Sequence, residues 1–127
     1  MADSEVTASL KADGGSAVLR MVLGDGVPGY WTVTLHKGST LVRRWEGVSD
    51  DALPDEVSLP VAALSAPHTS LSWSVVLYGP AHEVPYHVRV ELDQGRRSIL
   101  DDPIRLRGTV PARKTRTLSG TIEVEPG

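Results

Sequence analysis

The sequence predicts an all-β domain, an antiparallel β-sandwich of eight or nine short strands with little or no helix. Three observations carry this prediction. Apolar and polar residues alternate along many short runs, which is the period of a half-buried strand. Turn-forming residues separate these runs at spacings of roughly 8 to 12 residues. No segment keeps a helical period beyond one turn, and a length of 127 residues predicts a single domain over 1–127.

The stretch from Ser70 to Gly95 has the clearest alternation and predicts a long β-hairpin at the centre of the fold. Between its two runs Gly79, Pro80 and Pro85 interrupt the ladder, because proline has no N–H to donate. A slip of one residue would bury polar side chains, so the register is well specified. The residues expected inside are Leu71, Trp73, Val75, Leu77, Tyr86, Val88, Val90 and Leu92.

The beginning of the chain predicts two strands. Residues 5–10 alternate, and residues 12–15 then supply a strong turn signal. Residues 16–24 are apolar in both phases, which predicts a central strand that is covered on both faces over part of its length. Three glycines and a proline at 24–29 predict a loop.

The next strand is predicted over residues 30–37, with Trp31 on its inward face. The run 40–46 has an ambiguous phase because each face holds at least one charge, and an edge strand or a bulge would explain this. Residues 47–56 are polar and predict a loop.

Shorter strands complete the predicted sandwich. Residues 57–61 alternate, and Pro60 places that strand at an edge. The runs 96–100 and 103–110 are short strand candidates, and the alternation over 118–124 predicts the strand that closes the sheet.

Part of the sequence resembles the immunoglobulin-like domains. The segment 86–95, which begins Tyr-x-Val-x-Val and ends in Gly, is similar to the F strand of that family. Residues 15–21 resemble its B strand, and Trp31 stands near the place of the C-strand tryptophan. Met21 and Val88 then occupy the two cysteine positions, which implies a member without a disulfide. The resemblance implies a binding or scaffolding module and transfers neither a ligand nor a site.

Composition and charge restrict the function classes. Cysteine is absent, which excludes disulfides, thiolate metal sites and thiol catalysis. The net charge of −3 disfavours nucleic-acid binding, as does the lack of aromatic residues among the basic ones. Seven of the 13 Lys and Arg residues nevertheless lie in segment 96–116, so the charge is polarised along the chain.

The first residues are acidic and polar, without the basic patch and apolar run of a secretory signal. No stretch of the sequence approaches the length of a membrane span. If the sequence is full length, a cytoplasmic location is expected. Arginine outnumbers lysine, and asparagine and phenylalanine are absent, a bias that favours GC-rich bacterial coding sequence.

The sequence contains no motif that fixes a reaction, and we expect a non-catalytic protein without a cofactor. His82, Glu83 and His87 come closest to a cluster of proton-transfer or zinc-binding groups. Their spacing matches no tight ligand pattern, so histidines on the surface beside a turn are the favoured interpretation.

Aromatic and arginine side chains are the remaining candidates for a binding surface. Trp45, Tyr30 and Arg43 are candidates because exposed rings stack against sugars or against a protein partner. Arg105 and Arg107 are expected to project side by side from one strand, where guanidinium groups recognise phosphate, anionic sugars or carboxylates. Arginines that keep an edge strand soluble are the alternative interpretation.

These observations favour a non-catalytic interaction or assembly module that acts through protein–protein contact, including self-association. The alternative is a module that binds a carbohydrate or a small anionic ligand through the exposed aromatics and arginines. The most useful single observation is whether Trp45 and the arginines of 105–116 share one exposed face.

Overall fold

The chain folds as an all-β sandwich of two sheets in a computed structural model that describes residues 2–10, 15–24, 28–49, 55–60, 64 and 67–126. The described residues form ten strands, more than the eight or nine predicted. They are β1 (Ala2–Leu10), β2 (Ala17–Gly24), β3 (Gly29–Lys37), β4 (Thr40–Ser49), β5 (Asp55–Leu59), β6 (Thr69–Tyr78), β7 (Val84–Gln94), β8 (Arg97–Ser98), β9 (Ile104–Val110) and β10 (Thr115–Pro126).

The first sheet has the strand order β1-β10-β6-β3-β4. The second sheet has the order β5-β2-β7, and both β8 and β9 pair with the far side of β7. The strands pair antiparallel, as predicted, except that β1 lies parallel to β10.

The core lies between the two sheets and is built from the inward residues of the alternating strands. Trp31 and Val33 of β3 are buried, as the alternation predicts. β2 is central, between β5 and β7, and buries residues of both phases over Met21–Leu23. All eight residues predicted inside segment 70–95 are buried: Leu71, Trp73, Val75, Leu77, Tyr86, Val88, Val90 and Leu92.

The predicted central hairpin is wrong. β6 lies in the first sheet between β10 and β3, whereas β7 lies in the second sheet beside β2. Residues 79–83 carry the chain from one sheet to the other, and the inward faces of both strands contribute to the core. Alternation identifies the buried face of a strand. The alternating pattern is the same whether two strands pair as a hairpin in one sheet or lie in the two different sheets. Gly79 fits this crossing closely, since a Cβ there would lie 2.2 Å from the carbonyl oxygen of Pro111.

Some element boundaries also differ from the predictions. β4 extends to Ser49 and β5 begins at Asp55, so both ends of the predicted loop over 47–56 lie in strands, and residues 50–54 lie outside the described residues. The predicted strand over 96–100 contains only the two residues of β8. Pro85 does not interrupt the ladder but lies within β7, opposite a residue of β9.

The ambiguous phase of residues 40–46 has the two predicted causes. β4 is an edge strand, and its register with β3 shifts between Leu35 and His36, which is the mark of a bulge. Most of the predicted turn at 12–15, part of the predicted loop at 24–29, and Val61 lie outside the described residues.

The immunoglobulin resemblance implies that Met21 and Val88 lie in facing sheets, as the two cysteines of that family do. In the structure β2 and β7 are instead neighbours in the second sheet, with Met21 opposite Val90 and Leu23 opposite Val88. Membership of that family stays a prediction.

Candidate functional site

The strand β4 forms one edge of the first sheet, and among the described strands it pairs only with β3. On its other side the backbone N–H and C=O groups have no partner strand among the residues that the structure describes, and such groups are a template for a further strand. We call residues 40–49 the β4 edge.

The outer face of the β4 edge is apolar at both ends. Leu41 and Val42 are 53% and 50% exposed, and Val48 is 70% exposed. Val48 lies opposite Tyr30 of β3, on the face of the first sheet that points away from the core. In the part of the chain that the structure describes, Tyr78 is the one other large hydrophobic residue in this exposed class. Exposed apolar side chains are therefore concentrated on one strand.

A charged pair lies between these apolar ends. Arg44 Nη2 is 3.1 Å from Glu46 Oε2, and the hydroxyl of Tyr30 donates a hydrogen bond of 2.5 Å to the same oxygen. Both charged side chains are more than half exposed. An exposed ion pair of this kind adds little to the stability of the fold, so its side chains are available to a partner.

The core-facing side of β4 is anchored to the sandwich. Trp45 is half-buried against the core, and the guanidinium of Arg43 lies 5.2 Å from the centroid of its ring. Gly47 packs against the ring of Trp31, where an added Cβ would come within 2.6 Å of a ring carbon. The indole nitrogen of Trp31 donates a 2.8 Å hydrogen bond to Asp55 of β5. The β4 edge is therefore packed against Trp31 of β3, and Trp31 in turn is hydrogen-bonded to β5 of the second sheet.

The structure separates the predicted binding residues into two groups. Tyr30, Arg43 and Trp45 lie together at the β4 edge, with Tyr30 on the outer face and the other two on the core-facing side. Arg105 and Arg107 lie on β9, in the second sheet. Trp45 therefore does not share an exposed face with these two arginines.

The second group belongs to a concentration of positive charge. Across the β7–β9 ladder Arg105 is opposite Arg89, and Arg107 is opposite His87. We call these four residues the cationic face. Within the described part of the chain, no carboxylate lies within ion-pair distance of Arg105 or Arg107. An open depression of about 390 Å³ borders His87 and Arg107.

The arginine of the neighbouring strand β2 is differently placed, because Arg20 is neutralised. Its guanidinium forms ion pairs with Asp93 and with Glu56, the latter at 2.7 Å. The hydrogen bond with Asp93, followed by that with Glu56, raises the pKa of Arg20 above its usual value. Arg20 therefore adds no uncompensated charge, whereas Arg105 and Arg107 do. The excess positive charge of the second sheet lies on its β9 side.

The weak metal candidates do not form a cluster. His82 and Glu83 are exposed in the segment before β7. His87 lies on β7 itself, as one of the four residues of the cationic face. Among the residues that the structure describes, no three His, Asp or Glu side chains are placed to hold a metal ion.

Sequence reasoning identified Trp45, Tyr30 and Arg43 but missed the exposed apolar residues beside them. Val48 lies within the predicted polar loop over 47–56, whereas in the structure it belongs to β4, and Gly47 makes room for the Trp31 ring. The available signal was the run Leu41–Val48 itself, in which apolar residues of both phases flank a central pair of opposite charges.

Comparison with protein-family models, with curated proteins and with solved structures finds no match. None of the helical structure in the described residues is long and apolar enough to cross a membrane.

Proposed function

We propose that this protein is a non-catalytic interaction or assembly module that binds another protein chain through the β4 edge. One observation carries the proposal: a ten-residue edge strand, which among the described strands pairs only with β3, presents Leu41, Val42 and Val48 to solvent. Proteins usually protect such an edge, and an exposed apolar patch on one marks a contact surface.

The mode of binding that this edge supports is strand addition. A partner strand hydrogen-bonds to the free backbone groups of β4, and its side chains meet those of β4 on each face of the sheet. Affinity then comes from the backbone ladder, and specificity comes from the outer face, where Arg44 and Glu46 select for complementary charge.

The order of strands supports the proposal of an immunoglobulin-like architecture. The neighbours β10-β6-β3-β4 follow the order of the G, F, C and C′ strands in variable-type immunoglobulin domains, and β2-β5 follows B and E. In this assignment β6, and not the strand of Tyr86, takes the place of F, and β7 to β9 are an insertion before G. In this assignment β4 takes the place of C′, a position that is compatible with contact to another protein chain.

Site-directed photo-crosslinking in the full chain tests the proposed function. A photo-reactive residue at Val48 is expected to form a protein adduct that mass spectrometry identifies and that is lost when Leu41→Lys is added. The matched control is the same residue at Thr109, which is exposed on β9. Absence of any adduct at Val48 above the Thr109 control would contradict the proposal.

A second function, the binding of a small anionic ligand or an anionic carbohydrate, is favoured by the cationic face. Arg105 lies opposite Arg89 across the ladder, and like charges directly opposite are unfavourable. Arg89 has the carboxylate of Glu91 at 3.9 Å, whereas among the described residues no carboxylate lies within ion-pair distance of Arg105 or Arg107, so a bound anion would compensate these two. Titration calorimetry with pyrophosphate and with a sulfated disaccharide is expected to show saturable binding that Arg105→Gln with Arg107→Gln abolishes. No saturable heat with either probe at low salt rejects this function.

A further inference from the structure

The chemistry of the β4 edge is arranged symmetrically about Trp45. Val42 and Val48 stand three residues on either side of it, and Arg44 and Glu46 stand one residue on either side. We propose that the partner is a second copy of this chain, whose β4 pairs antiparallel with the first so that Trp45 lies opposite Trp45. This inference rests on the proposed function and names its partner.

Geometry restricts the registers in which two copies of β4 can pair. A two-fold axis perpendicular to the sheet places residues of the same face opposite each other, so the strand must be centred on a residue rather than between two residues. Centring on Arg44 places that arginine opposite its own copy, and centring on Glu46 does the same for the glutamate. Like charges directly opposite are unfavourable, so both registers are disfavoured. Centring on Trp45 places each Arg44 opposite the Glu46 of the other copy.

The outer face of the paired strands is then complementary along its length. Val42 of each copy meets Val48 of the other, which covers side chains that are 50% and 70% exposed in the single chain. Between these apolar pairs, the Arg44–Glu46 pair of one copy joins that of the other in a ring of four alternating charges. Cross-strand apolar and opposite-charge pairs are the units that stabilise an antiparallel sheet.

The core-facing side of the paired strands is compatible with the same register. Trp45 of the two copies lie opposite each other, and each already has the guanidinium of Arg43 over its ring. Arg43 itself falls opposite Gly47 of the other copy, which has no side chain to obstruct it. The aromatic pair and the two cations therefore have room on this side.

Two features of β4 usually protect an edge from such pairing: the bulge and the core-side charge of Arg43. The bulge lies at Val42, so the regular backbone ladder between the copies is expected over residues 43–47, and Val42 meets Val48 by side-chain contact at each end of it. Other edges are less suited to self-pairing. β5 has five residues and is followed by Pro60, and β9 projects Arg105 and Arg107.

The association state of the purified full chain tests the inference. Sedimentation velocity from micromolar to near-millimolar concentration is expected to show a monomer–dimer equilibrium. Glu46→Arg alone and Arg44→Glu alone each place like charges opposite one another, and each is expected to raise Kd roughly ten- to a hundredfold. The double variant, with both substitutions, restores complementary pairs and is expected to restore the dimer. Arg97→Glu, a charge reversal at an exposed position of β8 in the other sheet, is the matched control and is expected to change nothing.

Mixing the two single variants shows whether loss of the dimer in each one is due to charge repulsion or to unfolding. Each is expected to be monomeric alone, and an equimolar mixture is expected to form a heterodimer, which requires both to be folded. The register has its own test, because the chain has no cysteine. Oxidation of a mixture of Val42→Cys and Val48→Cys chains is expected to give the disulfide-linked heterodimer, and neither variant alone is expected to crosslink.

The outcomes separate this inference from the proposed function. A chain that stays monomeric at all concentrations overturns self-pairing, as does a dimer that the charge reversals do not weaken. If the photo-reactive residue at Val48 then forms an adduct with a different protein, the β4 edge is still a contact surface. If it forms no adduct with any protein, the proposed function fails as well.

Discussion

The two edges of the first sheet differ in whether described residues of the same chain hydrogen-bond to their outer backbone groups. At the β1 edge, residues 99–101 cover the strand: Ser9 N donates to the carbonyl oxygen of Ile99 at 2.9 Å, and Asp101 N donates to that of Thr7 at 2.8 Å. The carboxylate of Asp101 also accepts from Thr7 N at 3.0 Å. At the β4 edge the described residues provide no such cover.

The difference shows where the backbone of the sheet can still make hydrogen bonds. The edge groups of β1 at Thr7 and Ser9 are satisfied within the chain, so a partner would have to displace residues 99–101 to reach them. No described strand pairs with the outer side of β4, and exposed apolar side chains lie beside it. A strand that adds to the first sheet is therefore expected at β4.

Removing the anchor of β4 is expected to have the largest effect. Gly47→Ala introduces a Cβ that overlaps the Trp31 ring, and such overpacking destabilises a fold by about 1 to 3 kcal/mol. Chemical denaturation measures the free energy of unfolding, with Thr40→Ala at the exposed start of β4 as the control. An unchanged unfolding free energy for Gly47→Ala would mean that β4 does not depend on this contact.

Uncovering the β1 edge is expected to have a smaller effect. Asp101→Ala removes the side-chain acceptor of Thr7 N, and the loss of one exposed hydrogen bond costs about 1 kcal/mol. Amide hydrogen exchange at Thr7 and Ser9 is expected to become faster, whereas Asp101→Asn keeps an acceptor oxygen and stays close to the wild type. Unchanged exchange in Asp101→Ala would show that the carboxylate does not hold the cover in place.

Making β4 resemble a protected edge is expected to have the smallest effect on folding. Leu41→Lys with Val48→Lys replaces two exposed apolar side chains, and surface changes of this kind usually alter stability by less than about 0.5 kcal/mol. The fluorescence of a hydrophobic dye bound to the protein is expected to fall in dilute solution, whereas the same pair of lysines at Thr109 and Thr117 leaves it unchanged. A large loss of stability would mean that these residues belong to the core.

The sequence predicted the faces of the strands well and their partners poorly. Alternation identified Leu71, Trp73 and Val88 as core residues, because solvent is excluded from one side of each strand. It did not show that β6 and β7 lie in different sheets. Pairing depends on contacts between distant segments, and a pattern within one strand contains no record of them.

The candidate site was predicted in part for the same reason. The charged residues in both phases of 40–46 predicted an edge or a bulge, and the structure has both. The end of β4 was predicted as a loop because residues 47–56 are mostly polar, and nothing in that segment shows that Gly47 makes room for the Trp31 ring. The separation of Trp45 from Arg105 depends on strand order, which no local pattern specifies.

The parallel pairing of β1 with β10 also affects how the fold is reached. β10 lies between β1 and β6, so the first sheet remains in two pieces until residues 115–126 enter it. The pairs run from Ala2 with Leu118 to Leu10 with Pro126, and closing a loop of that length is entropically costly and slow. During synthesis on the ribosome, β1 and one side of β6 therefore have unpaired backbone groups until β10 has been made. The insertion of β10 between them completes the sheet.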